Sequence, residues 1–147
     1  MNVITTFKDK KREKQIKYER NLLKDISIQT LKSRVQTYFG SSRLTSGLLM
    51  KTGIEEACYD VAIEAFLLGA RMSRFGYLGE SVESVQQRCE QEVKHLYDTL
   101  YNFLLYWGHE EEATLSESLA YTCEQYVNSW WREGFQKGER RHKLRLH

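Results

Sequence analysis

The sequence predicts an all-α protein, a four-helix bundle whose halves read as tandem helical hairpins related by a pseudo-two-fold axis. Three observations carry this. Proline is absent from all 147 residues, where average usage of roughly 5% would give about seven, and that absence favours long uninterrupted helices. Apolar residues recur at spacings of three and four, the period of one helical face, and no alternating strand pattern occurs. Finally, Glu64-Ala65-Phe66-x-x-Gly69-x-Arg71-x-x-Arg74 is echoed 69 positions later by Glu133-Gly134-Phe135-x-x-Gly138-x-Arg140-x-x-Lys143. Thr30-Leu31 and Tyr38-Phe39-Gly40 return at nearly the same offset as Thr99-Leu100 and Tyr106-Trp107-Gly108. A shared offset points to a duplicated hairpin.

The first helix is expected over 7–39. Its opening half is polar nearly all round, whereas Ile28, Leu31, Val35 and Tyr38 form one apolar face. Asp25 and Ser27 are capping residues able to restart a helix at that point, and Gly40 supplies a stop. A connecting stretch to Gly53 holds a short helical turn at 44–50, and Thr52 with Glu55 forms a capping box. The second helix, about 54–75, has the cleanest period: Ile54, Cys58, Val61, Ala65, Leu68, Met72 and Phe75. Gly76 and Gly79 are expected to end it.

Ser81 caps the third helix, about 81–107, whose buried face runs through Val82, Val85, Cys89, Val93, Leu96, Leu100, Phe103 or Leu104, and Trp107, with Gly108 as its stop. Thr114 and Glu117 form a second capping box. The fourth helix, about 115–140, buries Leu115, Leu119, Cys123, Val127, Trp130 and Gly134. A basic tail, 137–147, follows. The length fits a single domain with a real core.

Small residues four apart, Ala65/Gly69 and Gly134/Gly138, predict that the second and fourth helices cross closely. A glycine inside a helix costs about 1 kcal/mol against alanine, and a close backbone approach offsets that cost. Across such a crossing, Glu64 is expected to bridge to Arg140 and Glu133 to Arg71.

Hydrophobic residues make up 41% and charged residues 29%, a balance too apolar for disorder. No stretch approaches the roughly 18 apolar residues of a membrane span, and the N-terminus has no export-type apolar region, so a cytoplasmic location is expected. Cys58, Cys89 and Cys123 are odd in number and lack any C-x-x-C spacing, which fits small buried hydrophobes in a reducing compartment. No nucleophile elbow, Walker loop or G-x-G-x-x-G occurs, so no catalytic residue and no cofactor is assigned.

Two Glu-x-x-His pairs, Glu92/His95 and Glu139/His142, have the spacing used by carboxylate-bridged di-iron bundles, with Glu64 and Glu55 or Glu56 as further carboxylates. Val93 takes the apolar position of its turn, which leaves Glu92 and His95 on its flanks. The other pair sits in a cationic tail that repels metal. No metal is therefore assigned, and Glu92 and His95 stand only as weak candidates.

Net charge is +2 but unevenly spread. Residues 8–24 carry eight Lys/Arg against three acids, residues 137–147 five against one, and the interior is left at −7. Lys10, Lys11, Arg12, Lys14, Arg140, Arg141 and Lys143 are the expected polyanion contacts. They suit nucleic acid, an anionic membrane surface, or the acidic middle of this chain in cis or in another copy. The 18 aromatics exceed what one core hides, and Trp131, off the fourth helix's apolar stripe, is the expected interface residue of a protein partner or homodimer.

With its opening Thr5-Thr6-Phe7 and lysine run, and Gly53-Ile54-Glu55-Glu56-Ala57 through Arg74, the chain resembles a small uncharacterised helical family of Bacillus-type bacteria. The resemblance covers nearly the whole chain. It implies a bacterial cytoplasmic protein and no activity. The residues themselves favour a non-catalytic interaction or regulatory protein. Nucleic-acid association through the basic ends is the alternative, and a carboxylate/His metal bundle the distant one.

Overall fold

A computed structural model describes residues 3–40, 53–107 and 114–144, and among them the protein is all helix. The elements are α1 (Val3–Leu23), α2 (Ile28–Phe39), α3 (Ile54–Tyr77), α4 (Val82–Arg88), α5 (Glu90–Trp107) and α6 (Thr114–Lys143). The expected turn at 44–50 and the Thr52 and Thr114 capping side chains lie outside the described residues, as does Gly108.

Two expected helices are divided. The first breaks between α1 and α2, where the Ser27 side chain accepts from the Thr30 amide at 3.1 Å and so satisfies an orphan donor of the new helix. The third starts at Ser81 as expected, its side chain accepting from the Ser84 amide at 3.2 Å. It then breaks at Cys89, whose amide bonds Gln86 O at 3.3 Å and whose thiol donates to Val85 O at 3.5 Å. No glycine or proline marks that break. Gly76, expected to end the second helix, instead lies within α3 against the Phe135 ring. The chain turns at Gly79, which adopts φ 109°, and the Glu80 amide closes onto Phe75 O at 3.0 Å.

The most extensive helix pair is α3 with α6. On α3 Ile54, Cys58, Ala62, Ala65, Phe66, Gly69, Ala70 and Ser73 are fully buried, while Val61, Leu68, Met72 and Phe75 are only half-buried. Beyond Cys58 the stripe is rotated from the expected one: the closest approach runs through Gly69 and Ala70, with Ala62, Ala65 and Phe66 buried beside it. A Cβ built on Gly69 would collide with Trp131 O and lie 2.9 Å from Phe135 N. One on Gly134 would collide with Phe66 O, and one on Gly138 with the Ser73 hydroxyl. Helix backbones therefore touch directly here.

Aromatic side chains from α6 fill the space on either side. Tyr126 donates its hydroxyl to Cys58 O at 3.0 Å, and Phe39 and Tyr38 of α2 meet its ring edge-on at 5.2 and 5.7 Å. Phe66 meets Trp130 at 6.4 Å, and Trp131 stacks on Phe135 at 5.2 Å.

Two expected bridges across this seam are replaced by others. Glu133 pairs with Arg34 of α2 at 2.8 Å, and Arg71 pairs with Glu19 of α1 at 2.9 Å. Glu64 and Arg140 make no ion pair among the described residues. With backbones in contact, side chains flanking the seam point outward to the next helix rather than across it.

Candidate functional site: the basic end and the polar groove

Every side chain of α1 from Phe7 to Lys17 is exposed. Over that length cations dominate and the apolar Phe7 and Ile16 stand apart, so the helix has no continuous apolar face to bury. Contact with the bundle begins at Tyr18. Its ring meets His142 at 6.5 Å and the Arg141 guanidinium at 5.9 Å, while His142 stacks on Tyr77 at 5.6 Å. The Glu19–Arg71 ion pair and the fully buried Leu22 complete the anchor. Tyr18 and Leu22 are one turn apart. Lys14 and Lys11 extend the same face outward by two more turns.

Lys10, Lys11, Arg12 and Lys14 of α1 therefore project from the end of the molecule where Arg140, Arg141 and Lys143 close α6. Two cationic segments more than a hundred residues apart in sequence meet at the Tyr18–Arg141 contact. None of these seven side chains has an ion-pair partner among the described residues. Among the described residues the Tyr18 hydroxyl and Arg141 Nε are buried atoms without a hydrogen-bond partner. Burial pushes the Tyr18 phenol up, opposed by the Ser73 hydroxyl and the Arg141 charge. Phe7 (70%), Ile16 (41%) and Leu144 (61%) are among the apolar side chains exposed at this end, as are Tyr77 and Leu78 at the end of α3.

A second feature opens between α4–α5 and α6. It is a groove of about 700 Å³ whose lining includes Tyr38, Glu83, Glu90, Tyr97, Glu124 and Arg132. Its three glutamates have no ion-pair partner among the described residues. Burial first, then the Glu124 carboxylate, pushes the Tyr97 phenol up. Sequence reasoning missed this groove because its lining comes from three separate parts of the chain and its glutamates and glutamines carry no spacing signal.

Trp131, expected at an interface, is 0% exposed. It sits where α6 turns its flank toward α4–α5, a direction the single apolar stripe of α6 could not reveal. Cys89 lies beside it. Burial pushes the Cys89 thiol up, and the Trp131 indole acts in the opposite direction. Glu92 and His95 are both exposed and share a shallow groove with Glu64, Leu68 and Arg71. Among the described residues no group of three or more His, Cys, Asp or Glu side chains is arranged to hold a metal ion. Nor is any helix there long and apolar enough to cross a membrane.

Residues 1–147 match the family described as "Protein of unknown function (DUF2521)". The chain is 35% identical over 151 residues to the uncharacterized protein YbaK of Bacillus subtilis (strain 168), an alignment covering 99% of each chain. No solved structure matches it.

Proposed function

The chain belongs to the DUF2521 family, and we propose that this member is a non-catalytic helical interaction protein whose basic end holds an acidic partner surface. The observation that carries this is α1 itself, an ordered helix with every side chain from Phe7 to Lys17 in solvent and anchored only from Tyr18 onward. A rigid cationic rod of this kind needs little further ordering to bind, which removes one of the main costs of association. The exposed Phe7, Ile16 and Leu144 among the cations favour a protein over a phosphate backbone, because apolar anchors within a charged rim are how protein interfaces are built.

The second reading is nucleic acid, favoured by the convergence of Lys10, Lys11, Arg12 and Lys14 with Arg140, Arg141 and Lys143 at one end. Such a surface would neutralise phosphates without reading sequence. The same charges suit an anionic membrane surface less well, since α1 has no continuous apolar face to bury in lipid.

The architecture behind this surface we read as a four-helix bundle of two tandem hairpins, α2–α3 and α5–α6, in a cytoplasmic protein. Glu64 facing α5 and Glu133 facing α2 are equivalent in that reading.

Affinity capture from the native cell, with nuclease-treated and untreated halves, tests these readings against a Lys10→Glu/Lys11→Glu/Lys14→Glu variant. A nuclease-resistant protein partner lost with the variant supports the first reading. A nuclease-sensitive one supports the second. Identical capture by variant and native chain overturns both.

A further inference from the structure

We infer that the projecting half of α1 docks in the groove between α4–α5 and α6 of a second copy of this chain. This rests on the reading of the basic end as the working surface, and it names the partner.

Charge complementarity is the first argument. Outside the anchor, α1 presents Lys8, Lys10, Lys11, Arg12, Lys14 and Lys17 against Asp9 and Glu13. The groove presents Glu83, Glu90 and Glu124 against Arg132. Both sets lack ion-pair partners among the described residues, so docking would pair charges that are otherwise uncompensated.

Shape is the second. The eleven exposed residues from Phe7 to Lys17 make a rod about 16 Å long. The groove is open, and the rings of Tyr38 and Tyr97 with Val93 offer an apolar floor for Phe7.

Reach is the third, and it excludes the same chain. Tyr18 is fixed at Arg141 and His142, while the groove draws on α6 residues 124–132. At 1.5 Å per residue those positions lie roughly 14–26 Å back along α6. The exposed half of α1 runs out beyond its anchor, and none of its side chains is covered by its own chain. A reciprocal exchange about a two-fold axis gives each copy one donated helix and one filled groove, and closes as a dimer rather than a filament.

Sedimentation equilibrium of the full chain across the micromolar range tests this, at low salt and at about 0.5 M salt. A dimer is expected whose dissociation constant rises at least about tenfold in high salt. Lys10→Glu/Lys11→Glu/Lys14→Glu and Glu83→Lys/Glu90→Lys/Glu124→Lys should each be monomeric with native helix content. Mixed one to one, they should form a heterodimer, because one docking contact keeps its native charges and the other is restored with its signs exchanged. Should the groove variant misfold, Glu83→Gln/Glu90→Gln/Glu124→Gln replaces it, with a dimer about tenfold weaker than that of the native chain as its readout.

A native chain that stays monomeric, or a dimer that neither variant disturbs, overturns the inference. A monomeric native chain whose captured partner is still lost with the α1 variant overturns this inference alone and leaves the basic end binding another protein. A salt-sensitive dimer that both variants abolish, with no other protein captured, supports this inference and confines the basic end to self-association.

Discussion

Gly134→Ala is the sharpest probe of the α3–α6 seam. Two opposed effects make the sign of its outcome informative. Alanine is the better helix former by about 1 kcal/mol, so at a solvent-facing position the substitution would stabilise. At this position the new methyl would collide with Phe66 O and lie 2.7 Å from Phe66 C, where ordinary contact begins at 3.4 Å. The obstacle is helix backbone, which cannot rotate aside, so α3 and α6 must part by at least about 0.7 Å. A radial gap of about 0.5–1 Å forfeits a quarter to a half of each dispersion contact along the seam.

Over-packing of this kind costs about 1–3 kcal/mol, and the upper end applies where only backbone can yield. Set against the propensity gain of about 1 kcal/mol, the net is a loss of about 2 kcal/mol, or a fall of about 4–8 °C in Tm for a domain of this size. Thermal and urea unfolding followed by circular dichroism measure it. Gly69→Ala should cost a similar amount. The double variant should cost about 1 kcal/mol less than the sum, because one opening of the seam admits both methyl groups. A Gly134→Ala protein as stable as the native chain, or more so, would refute the close-contact reasoning.

Other perturbations separate the remaining contacts. Arg34→Ala removes the 2.8 Å pair with Glu133 and the guanidinium 4.0 Å above the Trp130 ring. With both charges about a quarter exposed, a loss of about 1–2 kcal/mol and a changed tryptophan emission are expected. Trp131→Phe keeps a ring against Phe135 but leaves a gap, so it should lower the urea midpoint by the equivalent of about 1–2 kcal/mol without altering sedimentation. The Cys58 thiol is pushed up to about 12, by burial first and Glu55 second, and Cys123 is also pushed up by burial. An unfolded thiol releases its proton near pH 8.5 while the folded one keeps it, so this stability is complete below about pH 8.5 and is lost as pH rises toward 12. Urea midpoints should fall across that window by up to about 1.4 kcal/mol per pH unit per thiol, with a smaller slope in Cys58→Ala.

Much of the helical content was legible because it is local. Spacing of apolar residues, Ser27 and Ser81 as caps and Gly79 as a stop act within a turn or two of chain, and the caps and the stop appear where the sequence put them. The break at Cys89 was not legible, since no residue there disfavours helix. The interruption comes with a thiol-to-carbonyl bond and the burial of Val85, Cys89 and Val93 on one side. Ala65, Gly69, Gly134 and Gly138 stood out as small residues at helical spacing, a feature that survives in one dimension.

Which charge meets which was decided only by the tertiary structure. Glu133 had several arginines to choose from, and the choice fell to Arg34 once α2 packed beside α6. Trp131 shows the same limit: a residue off the apolar stripe of an isolated helix is buried when a second neighbour covers that flank. The two basic ends were visible as composition, but their meeting at Tyr18 and Arg141, and the separate acidic groove, depend on where helices distant in sequence lie in space. Local propensity and periodicity are written into consecutive residues. The pairing of distant surfaces is set by which backbones can approach most closely, and here that is the glycine-lined contact of α3 with α6.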